Sequence, residues 1–115
     1  MIYTSYFAAL RRMTPDQKSR CVAISLKVPF PMKRYPQLAP PPDLLSFYKN
    51  HKLNIEKYSA IYYNSVLNLL SPDQVAKELD GMILCCYEAP RNFCHRQLVV
   101  EWLAENGYEA KELEI

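Results

Sequence analysis

The sequence contains no apolar run long enough to cross a membrane, and its first residues, MIYTSYFAALRRM, lack the basic start and long apolar stretch of a secretory signal. Both absences argue against a membrane-spanning or secreted protein. We therefore expect a cytoplasmic protein with no membrane partner. Because thiols stay reduced in the cytoplasm, the four cysteines are expected to serve packing, metal binding or thiol chemistry rather than a disulfide framework.

The chain also lacks a strong excess of charge of either sign. Its 115 residues carry a formal net charge of +2 and half of them are apolar, which is typical of one globular domain over residues 1–115. Acidic residues nevertheless predominate among the last fifteen, whereas seven basic residues occur early in the chain: Arg11, Arg12, Lys18, Arg20, Lys27, Lys33 and Arg34. This asymmetry is typical of an anion-facing side or of an ordinary solvated surface.

Short apolar or alternating segments predict four strands, at residues 2–7, 21–26, 82–87 and 108–115. Helices are predicted between them, with Thr14, Asn54, Ser71 and Asn92 as N-terminal caps and a further helix starting at Asp43. Strands that alternate with helices indicate an α/β fold, with a small, mostly parallel sheet of about four strands flanked by helices. The proline-rich residues 28–42 are predicted to form a long loop, either functional or a plain surface connection.

The segment LCCYEAPRNFCHRQLVVEWL, residues 84–103, holds three of the four cysteines, one of the two histidines and the only tryptophan. Ligands of parallel sheets bind beyond the carboxyl ends of strands, so a site is expected where this strand passes into the next helix. With Asn92 as the cap, Cys94 and His95 would occupy the second and third helical positions, where the helix dipole lowers the pKa of a thiol. Arg91 or Arg96 could clamp an external phosphate or carboxylate there.

Several residues of this segment have simpler interpretations. Cys85 and Arg91 have the spacing of a phosphatase loop, but the residues between them lack the glycines that let backbone amides surround a phosphate. Cys85 is therefore expected in the core, and Cys86 either in the core or in the site. Glu88 could act as a general acid or base, or could hold Arg91 or Arg96.

No cofactor is expected, and zinc is the alternative. Cys86, Cys94 and His95 could bind zinc together with Cys21 or His51, but the sequence has no Cys-x2-Cys pair, and adjacent ligands on one helix should diverge. His51 is expected to be an exposed loop residue. Thiol redox chemistry by Cys86 and Cys94 would require Cα atoms within about 7 Å of each other.

The ordered combination of IYTSYF, VAIS, LAP and the paired CYEAP and FCHR blocks resembles the domain of unknown function family 488. The resemblance covers nearly the whole chain, although Arg91 and Asn92 stand where many relatives carry glycine and an acidic residue. It implies a small α/β protein of a kind common in bacteria and their phages, with no settled activity. The site that it implies consists of Cys86, Glu88, Cys94, His95 and Arg96, with four neighbours from the ends of the first two strands: Thr4, Ser5, Tyr6 and Ser25.

Two functions from different classes follow. The first is an enzyme or ligand-binding protein for an anionic, phosphate- or nucleotide-containing substrate, with Cys94 as nucleophile or anion contact, His95 as acid or base, and Arg96 as clamp. The second is a non-enzymatic module with structural or zinc-binding cysteines, whose basic N-terminal third and proline-rich loop bind nucleic acid or protein. The sequence predicts no particular oligomeric state.

Overall fold

The computed structural model describes residues 1–50 and 53–115; the interpretation of His51 therefore lies outside the described residues. The strands are β1 (Ile2–Tyr6), β2 (Cys21–Ala23), β3 (Ile83–Cys86) and β4 (Ala110–Glu112). They form one sheet in the order β2-β3-β1-β4, and every pairing is parallel. The predicted α/β fold with a parallel four-stranded sheet is confirmed.

Five α-helices join or flank the strands in the described residues: α1 (Pro15–Ser19), α2 (Pro42–Lys49), α3 (Ile55–Ser65), α4 (Pro72–Glu78) and α5 (His95–Glu105). Three of the predicted caps are confirmed, because Thr14, Asn54 and Ser71 each accept a hydrogen bond from a backbone N–H three residues later. No helix of the described part of the chain combines the length and the apolar character that a membrane crossing requires.

Side chains that alternate along β3 divide the core into two layers. Leu84 packs against helices α2 to α5, in a cluster that includes Tyr62 and Trp102. Ile83 and Cys85 point to the opposite face, where the chain around residues 7–13 covers them. Cys85 is thus fully buried, which confirms its expected place in the core.

The start of α5 was predicted wrongly. The helix begins at His95, with Cys94 as its cap, and not after Asn92. Cys94 has extended backbone angles, and its N–H donates to Oε1 of Gln97 at 2.6 Å, so a glutamine side chain satisfies the helix start. Asn92 instead belongs to a turn, in which its N–H donates to the carbonyl of Ala89.

Two smaller predictions also need correction. The second strand ends at Ala23 instead of continuing to residue 26, because Ser25 donates to the carbonyl of Lys27 and turns the chain. The spacing of apolar residues after Asn54 predicts a buried helix face of Ile55, Tyr58, Tyr62, Val66 and Leu69, and of these Tyr58, Tyr62 and Val66 are buried. Ile55, 48% exposed, is the first residue of α3, and Leu69, 76% exposed, follows the end of the helix at Ser65, so both lie outside the core.

Candidate functional site

The end of β3 and the beginning of α5 bring three buried side chains together. Cys86 is the last residue of β3, Cys94 caps α5, and His95 is the first residue of that helix. One Sγ, or one ring nitrogen, of each residue lies within 4.8 Å of the others. We call Cys86, Cys94 and His95 the Cys–His cluster.

Cys86 and Cys94 are joined as a disulfide, whereas Cys21 and Cys85 are free thiols. The two Cα atoms are 7.6 Å apart, which exceeds the usual Cα separation in disulfides. It also exceeds the limit of about 7 Å set for this pair from the sequence. A Cα separation of this size also accommodates two reduced thiols that face each other.

The two ring nitrogens of His95 have different partners. Nε2 lies 2.7 Å from the carbonyl oxygen of Ile24, and because a carbonyl only accepts, Nε2 must carry the proton. Nδ1 then has a free lone pair, which faces Sγ of Cys94 at 3.6 Å. Burial, opposed by the bond to Ile24 and reinforced by the charge of Arg96, lowers the pKa of His95 to about 4. The ring is therefore neutral at physiological pH.

Arg96 lies fully buried behind the cluster and contacts one of its sulfurs. Its Nη1 donates to Sγ of Cys86 at 2.8 Å and to the carbonyl of Glu88 at 2.5 Å. Nε and Nη2 donate to the two carboxylate oxygens of Glu112, at 3.1 and 3.2 Å. Four of its five N–H groups are thus used inside the protein, and one of them contacts the sulfur of Cys86.

A pocket of about 620 Å³ opens above the Cys–His cluster. It is lined by residues from the chain after β2, from α2 and from the chain after β3: Ser25, Leu26, Lys27, Pro40, Pro42, Leu45, Ser46, Lys49, Asn50, Cys86, Tyr87, Glu88, Cys94 and His95. Glu88 is its single acidic lining residue, against Lys27 and Lys49. Its volume suits a small-molecule ligand.

Comparison with protein-family models gives a match over residues 14–107 to DUF488-N3a, described as the active DUF488-N3 subclade. The chain belongs to this family. The matched range contains the whole Cys–His cluster and confirms the resemblance drawn from the CYE and FCHR blocks. Neither the curated proteins nor the solved structures gave a match.

Three of the remaining predicted site residues of this DUF488-N3a protein lie beside the Cys–His cluster or support a residue that contacts it. Glu88 and Ser25 line the pocket beside the cluster. Thr4 donates to Glu112 at 2.7 Å and so supports the partner of Arg96.

Three predicted residues lie apart from the cluster. Ser5 is fully buried, and its hydroxyl has no partner in the described structure. The hydroxyl of Tyr6 accepts from Arg12. Arg91 is exposed and lines a different surface depression, next to Tyr63 and Glu101.

Sequence reasoning missed Glu112, Lys27 and Lys49 as members of the site. Glu112 lies on the short edge strand β4, 16 residues after Arg96, and its side chain, which is 34% exposed, pairs with Arg96. Only the parallel pairing of β4 with β1 brings this carboxylate to the first turn of α5. A glutamate in the last predicted strand was the available signal, but many exposed strands carry one.

The Cys–His cluster could hold a soft divalent metal ion. Two sulfurs and one imidazole nitrogen are typical zinc ligands, and the hydrogen bond from Nε2 to the carbonyl of Ile24 is the kind of contact that orients a ligating histidine. The expectation that Cys94 and His95 must diverge was wrong, because Cys94 is a cap with extended backbone rather than a helical residue. Cys21 lies on the opposite face of the sheet and is not part of this cluster.

Proposed function

We propose that the protein is an enzyme that binds an anionic, phosphate-containing substrate and attacks it with the thiol of Cys94. The observation that carries this proposal is the unprotonated Nδ1 of His95, held 3.6 Å from Sγ of Cys94. A histidine in this tautomer can accept the thiol proton, which is the arrangement of a cysteine nucleophile with an adjacent base. The active form requires the reduced pair, and therefore a reducing compartment such as the cytoplasm.

In the proposed reaction, the S–H proton of Cys94 moves to Nδ1 of His95 as the sulfur forms a bond to a phosphorus atom of the substrate. The bond from that phosphorus to the oxygen of the leaving group breaks, and its electron pair stays on this oxygen. The imidazolium that results is stabilised by the carbonyl of Ile24, which accepts from Nε2 at 2.7 Å. Glu88 lines the pocket and would donate or accept the proton of the leaving group.

Arg96 has a different role in this proposal from the clamp expected of it. Its bonds to Glu112, to the Glu88 carbonyl and to Cys86 are internal, so Arg96 acts as a positioning residue. It holds the sulfur of Cys86 beside Cys94 and fixes the backbone that carries Glu88.

The anionic character of the substrate is supported by the charges around the pocket. Lys27 and Lys49 are exposed and line the opening, and the first residues of α5 contribute the positive end of the helix dipole. A phosphate or a nucleotide could contact both lysines while its reacting atom lies near Cys94.

The test uses reduced protein and a panel of inorganic phosphate and nucleoside mono-, di- and triphosphates, with binding measured by calorimetry and products by mass spectrometry. We expect Lys27→Ala/Lys49→Ala to weaken binding at least tenfold, since each lost charge contact is worth on the order of 1 kcal/mol or more. Cys94→Ser should retain binding and lose turnover.

The matched control is Lys57→Ala/Lys77→Ala, which removes two exposed positive charges from α3 and α4. It should bind the panel like the wild type. Equal losses in both double variants, or turnover that survives Cys94→Ser, would contradict the proposal.

A second candidate is a non-enzymatic module in which the Cys–His cluster holds a structural zinc ion. The three ligand atoms within 4.8 Å of one another favour it. Metal analysis of protein purified without chelator separates the two functions, because one tightly bound zinc per chain would occupy the sulfur that the enzyme needs as a nucleophile.

A further inference from the structure

A second surface of the protein carries a concentrated positive charge that the proposed enzymatic site does not use. Residues 1–42 contain one acidic residue, Asp16, and seven lysines and arginines, of which Lys27 alone lines the enzymatic pocket. Residues 43–115 contain seven lysines and arginines and eleven acidic residues. Asp16 is already paired with Arg20 at 3.3 Å, so little negative charge remains to neutralise this part of the chain.

The fold gathers three of these cations around one depression of about 460 Å³. Arg11 comes from the turn after β1, Lys18 from α1, and Lys33 from the proline-rich segment. None of the three forms an ion pair with a carboxylate within the described residues, and no acidic side chain lines the depression. We call Arg11, Lys18 and Lys33, with the depression that they surround, the basic patch.

The lining between these cations is apolar and includes an exposed aromatic ring. Leu10 and Met32 are half-buried and belong to the core layer on the face of the sheet opposite the Cys–His cluster. Phe30 also lines the depression and is 45% exposed, so its ring is accessible to a ligand. The Nζ of Lys33 donates to the carbonyl of Ser19 at 2.9 Å, which fixes the proline-rich segment against the end of α1.

We propose that the basic patch binds single-stranded nucleic acid. Cations spaced around a groove contact successive phosphates, and an exposed aromatic ring beside them offers a stacking surface for a base. An acidic peptide would use the cations but not the ring. A membrane surface would require a protruding apolar face, whereas the apolar residues here form a concave floor.

This proposal is independent of the enzymatic one, because the two surfaces lie on opposite faces of the sheet. A protein with both would be held on a nucleic-acid strand by one face while the other face acts on a phosphate-containing group. Cys94→Ser should therefore leave nucleic-acid binding unchanged, and this variant distinguishes a failure of one proposal from a failure of the other.

The experiment measures the fluorescence anisotropy of a labelled fifteen-residue oligothymidylate between 50 and 200 mM salt. Arg11→Ala/Lys18→Ala/Lys33→Ala should weaken binding at least tenfold at low salt and reduce the slope of log Kd against log salt by about two, since each phosphate contact contributes about 0.7. Phe30→Ala should weaken binding about fivefold or more without changing the slope, because stacking releases no counterions.

The control variant is Lys57→Ala/Lys77→Ala/Lys111→Ala, which removes three exposed positive charges outside the patch and should change Kd less than twofold. Circular dichroism checks the fold of each variant, and Lys18→Glu alone replaces the triple variant if that one fails to fold. Three results would overturn the proposal: no binding at 50 mM salt, equal weakening in the patch and control variants, or binding to anionic lipid vesicles but not to the oligonucleotide.

Discussion

The two ring nitrogens of His95 have different hydrogen-bonding roles, and this difference explains most of the chemistry that the site can perform. The carbonyl of Ile24 fixes the proton on Nε2, so that Nδ1 is left to accept a proton from Cys94. Burial keeps the ring neutral by lowering its pKa to about 4. The neutral imidazole lies beside the sulfur of Cys94 and the buried guanidinium of Arg96 lies beside the sulfur of Cys86, so the two cysteines have different environments.

The lowered pKa of His95 predicts that the protein loses stability in mild acid. In the unfolded chain, His95 becomes protonated below about pH 6.5. In the folded protein, the same side chain stays neutral until the pH falls to about 4. The unfolding free energy should therefore fall by about 3 kcal/mol through this range because of His95 alone. Urea unfolding of reduced, metal-free protein at pH 7, 5.5 and 4 measures it.

His95→Asn provides the comparison, since it removes this titration and leaves every carboxylate in place. The stability difference between wild type and variant should shrink by about the same amount as the pH falls from 7 to 4. A difference that stays constant over this range would show that His95 titrates normally in the folded protein.

At the scale of single residues, some structural positions were predictable from the sequence and others were not. The core place of Cys85 followed from its position inside a continuous apolar strand, and the structure confirms it. The cap of α5 was missed because asparagine is the commoner cap, whereas here the side chain of Gln97 receives the N–H of Cys94. That competition between two local hydrogen-bonding schemes is decided by tertiary packing, which the sequence does not display.

At the scale of elements, the ion pair between α5 and β4 holds the edge of the sheet to the site. Arg96 is fully buried, and both oxygens of Glu112 receive its N–H groups. Thr4 on β1 donates to the same carboxylate, so three elements meet at one side chain. This arrangement fixes the first turn of α5, from which the cluster is built.

Glu112→Ala should therefore destabilise the protein by about 2 to 4 kcal/mol, because it leaves the guanidinium of Arg96 buried without its counter-charge. This loss of stability is smaller than the loss expected for a fully buried ion pair, because the side chain of Glu112 is partly exposed. Urea denaturation at pH 7 measures the loss. Glu109→Ala, at an exposed position just before β4, should change stability by less than about 0.5 kcal/mol; equal effects from both variants would refute the role given to Glu112.

The elements themselves were predictable where local signals were strong. The caps Thr14, Asn54 and Ser71, two of them followed by proline, each located the first residue of a helix correctly. Gly107 has a positive φ of 88°, which ends α5. The order of the strands and the approach of α2 to the Cys–His cluster were not predictable, because both depend on contacts distant in sequence. For that reason Lys27 and Lys49 entered the site only with the structure.

Across the whole molecule, the basic patch and the Cys–His cluster occupy different faces of one small sheet. The Cys–His cluster and its pocket lie with helices α2 to α5, and the basic patch lies on the opposite face. The sequence indicated both features, through the crowding of residues 84–103 and the early basic residues. It could not show that they face away from each other, since that follows from the alternation of side chains along β3.

The proposed enzymatic function depends most directly on an activated thiol at Cys94. The measurement is the alkylation rate of each cysteine at pH 7 in reduced protein purified without chelator, assigned by mass spectrometry and accompanied by a zinc assay. We predict no bound zinc and a Cys94 that reacts at least tenfold faster than Cys21 and Cys85, with this advantage lost in His95→Asn. A Cys94 no faster than the buried Cys85, or one zinc ion per chain that protects Cys86 and Cys94, would contradict the account.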